Sequence, residues 1–452
     1  MKVSVYGAGY VGLVSAVCLA DLGHEVCCCD VDEKKITQLK QGLSPLYEQN
    51  LDDLLIKNLK LQRIFFTSHS EEAVKHGVVQ IIAVGTPSMG DGGVDMRFVN
   101  QVVQNLSGHL SDYAAIVMKS TVSAGTADRI LQQIAKGLQK RRLAIEFDVV
   151  SNPEFLKEGT AVKDFLEPDR IVVGISNERA ASQMRELYRP LIENGRPFVV
   201  MDQRSAELAK YVSNAFLATK ISFINEISYF AEYFNANIEK VRTVLGLDSR
   251  INPEFFNPGC GFGGSCFPKD LLALQKIAKS AAIPVSLIDS VLEINERQKL
   301  ILYQKIRRYF KDKLQGKVVA LWGLAFKPGT DDVRFASSRK LMESLWSAEV
   351  RVQAYDPLAM ENIRQIYGES TRLKLCQDPY AALDNADVLV IVTEWDEFKN
   401  PNFARIKDKL HYPAIFDGRN LYQLEQVSKW GFDYYAIGFT HYNNLNLSKV
   451  SD

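Results

Sequence analysis

The sequence predicts an α/β protein: two doubly wound, parallel-sheet domains joined by a helical region that contains one long helix. Three observations carry this expectation. A strand, glycine turn and helix open the chain within residues 3–20, the same pattern begins again at Lys317, and between them 31 residues from Ser205 to Asn235 contain no glycine or proline. The 452 residues suffice for two or three cores at roughly 150 residues each.

Val3–Tyr6 is a short β-branched and aromatic strand, followed by glycines at 7, 9 and 12 and an apolar helix that runs to Gly23. A second strand at Glu25–Cys29 ends in Asp30, a third at Val78–Val84 ends in Gly85-Thr86-Pro87, a fourth at Ala114–Met118 ends in Lys119-Ser120-Thr121, and a fifth lies near Asp148–Ser151. Strands alternating with helical spacers give a parallel sheet whose ligand sits beyond the carboxyl ends of the strands. The uninterrupted stretch after Ser205, at about 1.5 Å per residue, makes a helix of roughly 46 Å, long enough to bridge domains or subunits. Further helices are expected around 269–282 and 285–310. From Lys317 the pattern repeats as strands at Val318–Trp322, Val350–Tyr355 (ending Asp356-Pro357) and Val388–Val392, with a degenerate glycine turn at Gly323. The expected domains are therefore 1–200, 201–313 and 314–452, the outer two Rossmann-like.

Lysine plus arginine equals aspartate plus glutamate at 54 each, so no net field draws the chain to nucleic acid or to a membrane surface. The cluster Lys140-Arg141-Arg142 reads as a solvated helix end. Seven cysteines are too few for a disulfide scaffold, and adjacent Cys27, Cys28 and Cys29 would point to alternating faces of a strand, which suits a reducing cytoplasm. With six histidines and no C-x-x-C pair, no metal site is expected. Val3–Ala20 is an uncharged run of 18, the length of a membrane span or signal segment, but the glycines inside it argue for a different use.

That use is dinucleotide binding. Gly7-Ala8-Gly9-Tyr10-Val11-Gly12 follows a strand and opens a helix, and Asp30 closes the next strand 18 residues beyond the last glycine. Gly7 permits the tight turn, Gly9 lets main-chain N–H groups approach a pyrophosphate, and Gly12 allows close helix packing. Asp30 would accept the ribose hydroxyls and repel a 2′-phosphate, favouring NAD over NADP.

The second chemical motif is the glycine-dense loop 257–270, which ends in Cys266 at the start of a helix. Backbone amides there would lower the thiol pKa and hold an oxyanion. Asp270, four residues on, returns to the face of Cys266, and Lys210 and Asn214 share a face of the long helix in the same way. No histidine lies within 100 residues of Cys266, so the base is a carboxylate, a lysine or a water they position. Cys260 reads as structural.

Together these residues resemble the UDP-glucose/GDP-mannose dehydrogenase family. The motifs stand in family order across almost the whole chain: the fingerprint at 7–12, Gly85-Thr86-Pro87, Ser120-Thr121-Val122, Asn152-Pro153-Glu154-Phe155-Leu156 with Glu158, Lys210 with Asn214, the 259–270 loop, Phe326-Lys327-Pro328 leading to Arg334, and Asp417-Gly418-Arg419. The resemblance implies oxidation of the C6 hydroxymethyl group of UDP-glucose to a carboxylate with two NAD, through a thiohemiacetal and a thioester on Cys266. It further implies that Asp270 positions or activates water, that Lys210 and Asn214 stabilise oxyanions, that Glu154 assists hydrolysis, and that Thr121 holds the active-site water. Cofactor contacts would be Gly7, Gly9, Val11, Gly12, Asp30, Lys35, Thr86, Thr121, Glu158, Lys269 and Arg334. Substrate contacts would be Glu154, Phe155, Leu156, Lys157, Lys210, Asn214, Phe255, Phe256, Asn257, Gly259, Gly263, Lys327 and Arg419, with Arg250 reaching across a homodimer or higher homo-oligomer.

A GDP-mannose or UDP-N-acetylhexosamine dehydrogenase would share nearly every motif, and Phe267 with the phenylalanine-rich 255–262 loop favours UDP-glucose. A two-electron hydroxy-acid dehydrogenase needs no nucleophilic cysteine, and a non-catalytic sensor would not need Cys266, Asp270, Lys210 and Asn214 together. One departure stands out: Arg334 is followed by Phe335-Ala336-Ser337-Ser338, where relatives more often carry an acidic residue and Ser-Pro.

Overall fold

The computed structural model describes residues 1–440. These fall into two compact units, Met1–Ser213 and the remainder from Asn214.

The first unit holds an eight-stranded sheet of β1 (Lys2–Tyr6), β2 (Glu25–Cys29), β3 (Ile64–Thr67), β4 (Val79–Ile82), β5 (Ala114–Met118), β6 (Phe147–Ser151), β7 (Ile171–Gly174) and β8 (Phe198–Met201), in the order β3-β2-β1-β4-β5-β6-β7-β8. The first six strands are parallel, and β7 turns antiparallel to β6 at the Ser151–Gly174 pair. The strand order reverses between β1 and β4, the place where α/β sheets bind nucleotides. Val3, Val5 and Cys28 pack into one core and Tyr6, Cys27 and Cys29 into another, so consecutive residues alternate between the two covered faces. The cysteine triplet is thus two-sided packing, and burial pushes the Cys29 thiol up to about 12. The uncharged run 3–20 is β1, the glycine turn and α1 (Tyr10–Asp21), nine of whose twelve residues are buried. The basic cluster does end a helix, α2 (Thr126–Lys140), where the Arg141 guanidinium donates to the Ser107 and Leu110 carbonyls.

His24, at the start of β2, is buried with Nε2 donating to the Leu187 carbonyl at 2.8 Å, and burial pushes its pKa below the usual 6.5. The unfolded chain therefore takes up a proton near pH 6.5 that the folded chain refuses. This contribution to stability is complete above that pH and is lost as pH falls below it. Urea unfolding of a His24→Gln variant between pH 7 and pH 5 should show a flatter stability profile than the parent, and an identical slope would refute the assignment.

In the second unit a six-stranded parallel sheet is built from β9 (Val318–Trp322), β10 (Arg351–Tyr355), β11 (Leu373–Leu375), β12 (Val388–Ile391), β13 (Ala414–Asp417) and β14 (Asp433–Tyr435), in the order β11-β10-β9-β12-β13-β14. This is the same winding as β3-β2-β1-β4-β5-β6. Its helices include α5 (Phe267–Ser280), α6 (Ser286–Gln298), α7 (Ile301–Tyr309) and α8 (Ser337–Ser347). The long helix is α3 (Gln203–Phe234), 32 residues and about 48 Å, and it is followed by α4 (Ile238–Leu247). The stretch 285–310 is two helices, α6 and α7, rather than one. The degenerate turn at Gly323 has φ +94° and is filled from within: Asp356, wholly buried, accepts the Leu324 and Ala325 N–H groups at 2.7 and 3.0 Å and Trp395 Nε1 at 3.0 Å. A buried side-chain carboxylate thus satisfies the main-chain N–H groups of that turn.

Candidate active site

In the first unit every expected residue up to Glu154 follows the carboxyl end of a strand. Gly7, after β1, has φ +97°, and a Cβ there would lie 2.8 Å from the Ala83 carbonyl. A Cβ on Gly12 would lie 1.8 Å from the Gly7 carbonyl oxygen, so only glycine lets α1 pack this closely on the turn. Gly9 caps α1 and faces open space within 4 Å, which leaves room for a pyrophosphate over the helix N-terminus. Asp30, after β2, accepts the Ala8 N–H at 2.7 Å and Lys35 Nζ at 3.3 Å, which sets its carboxylate beside the glycine turn. Val11, Thr86 after β4, Thr121 after β5, and Glu158 are all half-buried. These residues fit NAD: Gly9 leaves space that would admit phosphates at the helix N-terminus, and the Asp30 carboxylate beside the turn would accept ribose hydroxyls.

Glu154, two residues past Asn152 at the end of β6, is buried and pairs with buried Lys210 of α3 at 3.1 Å. Its second oxygen accepts the Leu156 N–H at 2.6 Å, and Lys210 Nζ also lies 5.3 Å from the Phe155 ring centroid. The same ring carries the Arg170 guanidinium at 3.8 Å, while exposed Lys157 pairs with Asp164 at 3.4 Å. A cavity of about 350 Å³ opens beside this loop, lined by Lys119, Glu154, Phe155, Leu156 and Arg170 among others. Three residues before Lys210, buried Glu207 accepts the Gly125 and Ala127 N–H groups at 2.6 and 2.9 Å and Ser151 Oγ at 3.1 Å. Glu207 therefore fastens α3 to the N-terminus of α2, and desolvation raises its carboxyl pKa. Sequence reading passed over it because its partners are main-chain groups some 80 residues away.

In the second unit Cys266 is the N-cap of α5 and is exposed, while the other six cysteines are buried. Its carbonyl accepts the Asp270 N–H at 2.9 Å, which closes the first turn and brings Asp270 onto the same face. Asp270 is 1% exposed, with Oδ2 accepting Asn214 Nδ2 at 2.6 Å and Oδ1 paired with Lys269 Nζ at 2.5 Å. Each oxygen keeps a further lone pair with which to hold a water. The structure thus joins Lys269, expected at the cofactor, to the carboxylate expected to work on water.

The loop before Cys266 is tightly packed. A Cβ on Gly259 would lie 2.9 Å from Arg419 Nη1, and one on Gly263 would lie 2.6 Å from the Phe335 carbonyl. Phe255 adopts φ +65° with its ring 6.2 Å from that of Phe267, and Phe256 is buried under Lys220 Nζ at 4.4 Å. Arg419 donates from Nε to the Val392 carbonyl at 2.7 Å and faces Glu394 at 3.2 Å. Lys327 Nζ lies 5.6 Å over the Phe326 ring. Asn257 accepts from Arg242, Arg334 is bidentate with Asp332, and Arg250 pairs with Asp248, both of these last guanidiniums largely in solvent. At the departure after Arg334, Phe335 takes φ +53° and Ser338 Oγ donates to the Leu324 carbonyl at 2.6 Å. Among the described residues no group of three or more His, Cys, Asp or Glu forms a metal cluster, and no helix is long and apolar enough to cross a membrane.

The dinucleotide turn and acidic strand end of the first unit define an NAD-binding, Rossmann-like dehydrogenase, and the second unit separately presents an exposed cysteine and a buried carboxylate at a helix N-terminus. Comparisons with known proteins agree. Family models of the UDP-glucose/GDP-mannose dehydrogenases match as the NAD-binding domain over residues 1–192, the central domain over 204–297 and the UDP-binding domain over 320–424. The UDP-glucose 6-dehydrogenase of Pseudomonas aeruginosa is 43% identical over 441 residues, covering 97% of both chains. That of Rhizobium meliloti is 44% identical over 441 residues, covering 97% of this chain and 99% of its own. A solved UDP-glucose dehydrogenase from the archaeon Pyrobaculum islandicum superposes with a TM-score of 0.89 at 36% identity, covering 97% and 98% of the two chains. This chain belongs to the UDP-glucose/GDP-mannose dehydrogenase family, and its cofactor is NAD.

Proposed function

We propose that the protein oxidises UDP-glucose to UDP-glucuronate in two hydride transfers separated by covalent capture on Cys266. The observation that carries this reading is the exposed thiol at the start of α5 with Asp270 one turn behind it. Bound NAD supplies the hydride acceptor, one per oxidation. Loss of hydride from C6 and of the hydroxyl proton gives an aldehyde, and an aldehyde has no second hydride to lose until a nucleophile adds to it. Cys266 Sγ adds to C6, the aldehyde oxygen takes up a proton, and a thiohemiacetal results. Loss of its C6 hydride together with its hydroxyl proton leaves a thioester, and water held by Asp270 adds to the carbonyl and breaks the C–S bond, releasing carboxylate, a proton and the thiol. Lys210 and Asn214 stabilise the oxyanions, Glu154 assists hydrolysis, and Thr121 holds water. The substrate's diphosphate and sugar are held by residues 154–157, 255–259, Gly263, Lys327 and Arg419, with Arg250 supplied by a second copy.

Three functional segments, 1–200, 201–313 and 314–452, follow from this division of labour: cofactor, nucleophile, and nucleotide. Leu208, Val212, Phe216, Phe223 and Phe230 of α3 are 47–64% exposed, an apolar stripe that supports a homodimer or larger homo-oligomer. Seven free thiols support a cytoplasmic site of action. Counting NADH formed per UDP-glucose tests the proposal. Two are expected, and a count of one would exclude the covalent route. Preferential turnover of GDP-mannose would instead move the sugar assignment.

A further inference from the structure

The loop that delivers Cys266 is held by amide side chains that no motif identified. On α6, Asn295 is 3% exposed, and both ends of its amide engage one residue: Oδ1 accepts the Phe262 N–H at 2.8 Å, and Nδ2 donates to the Phe262 carbonyl at 3.1 Å. One turn later, Gln298 is 0% exposed. Its Nε2 donates to the Gly259 carbonyl at 2.7 Å, and its Oε1 accepts from the Tyr229 hydroxyl at 3.0 Å. The Gly259 N–H goes to Asn225 Oδ1 on α3 at 2.8 Å, and this leaves Asn225 Nδ2 buried without a partner. An orphaned buried donor is rare, and here it accompanies an amide turned so that its oxygen meets the loop. Main-chain bonds fix the intervening and following residues: Cys260 N–H to the Gly418 carbonyl at 2.9 Å and Gly264 N–H to the Arg334 carbonyl at 2.8 Å.

Gly259 and Phe262 are therefore bound at both their N–H and their C=O, as a ligand peptide would be. We infer that Asn295, seconded by Gln298, is a positioning residue for the nucleophile: it fixes the register of the 259–264 loop and with it the placement of Cys266. Glycines at 259, 261, 263 and 264 leave that loop only the buried side chains of Cys260 and Phe262 as anchors, and a Cβ on Gly261 would lie 3.1 Å from Asn295 Oδ1. Polar groups of the neighbouring helices add the register that so few side chains do not set, and a displacement of about 1 Å at a reacting atom costs roughly 10²-fold in rate.

The inference rests on Cys266 as nucleophile, and failure of that reading would appear separately, as acid formation by a Cys266→Ala enzyme. Asn295→Ala is expected to lower kcat by about 10²-fold while leaving KM for NAD unchanged, and to slow alkylation of Cys266 by iodoacetamide. That reagent reports on Cys266 in the native protein because the other six cysteines are buried. Asn295→Asp adds a signature that lost stability would not produce. Its ionised carboxylate cannot donate to the Phe262 carbonyl, but the protonated acid can, so its kcat relative to the parent should recover as pH falls. A folded Asn295→Ala with parental kcat and alkylation rate, or an Asn295→Asp profile parallel to the parent's, would overturn the inference. If Asn295→Ala does not fold, Gln298→Met puts the same question to the Gly259 carbonyl, and parental kcat in that folded variant overturns it equally.

Discussion

Replacing Cys266 by alanine is expected to leave a folded, NAD-binding protein in which formation of UDP-glucuronate falls by at least about 10³-fold. The Cys266 side chain is exposed at the head of α5, so removing its sulfur opens no core cavity and should change stability by no more than about 0.5 kcal/mol. The chemistry, by contrast, has no substitute for it. The aldehyde can lose a second hydride only from a tetrahedral adduct, and without the thiol only water can form one. Asp270, held by Asn214 and Lys269 rather than by the Cys266 side chain, should stay in place in the variant, so the carboxylate proposed to deliver water would have no thioester for that water to attack. The measurement is acid yield by product analysis, with NADH per substrate alongside and thermal unfolding as the control. Acid formed at the parental rate with two NADH would remove Cys266 from the mechanism.

The parts of this site that sequence could reveal are those fixed by local geometry. The turn at 7–12 and the acid at the end of β2 are separated by one helix and one strand, so spacing alone sets them together, and the structure bonds Ala8 N–H to Asp30. Cys266 and Asp270 are one helical turn apart for the same reason. The helix expected over Ser205–Asn235 lies within two residues of the observed ends of α3, although the sequence free of glycine and proline runs on from Phe198 to Leu245. What escaped reading depends on distant partners. Strands β3, β7 and β8 have four residues each, and β11 and β14 three, too short for any periodicity, and strands covered on both faces do not alternate. The break between Gln298 and Ile301 carries neither glycine nor proline, and it lies just where Gln298 and Lys299 are turned inward. Asn295, Gln298 and Asn225 read as ordinary polar helix residues, because the main chain they clamp lies over 30 residues away. Lys210 and Glu154 were each legible by resemblance, but their pairing was not.

That pairing makes a second large effect separable into two parts. Lys210 and Glu154 have side chains 4% and 6% exposed with their charged atoms 3.1 Å apart. Lys210→Met strands a buried carboxylate, and breaking such a pair from one side costs about 3–5 kcal/mol. The same substitution deletes a cation proposed to face developing oxyanions, for which about 10²–10³-fold in kcat is expected. A single variant cannot tell these losses apart. The double variant Lys210→Met with Glu154→Gln can, because the glutamine oxygen still accepts the Leu156 N–H that now bonds at 2.6 Å while the uncompensated charge is gone. Most of the lost stability should return, since a neutral pair of similar volume replaces two charges that each had to be desolvated. Activity should not return, because neither replacement carries a positive charge. Urea denaturation and kcat measured side by side, with Glu154→Gln alone as the reference for the carboxylate's own role, decide the matter: a double variant that matched Glu154→Gln in both would make Lys210 only the counter-ion of Glu154.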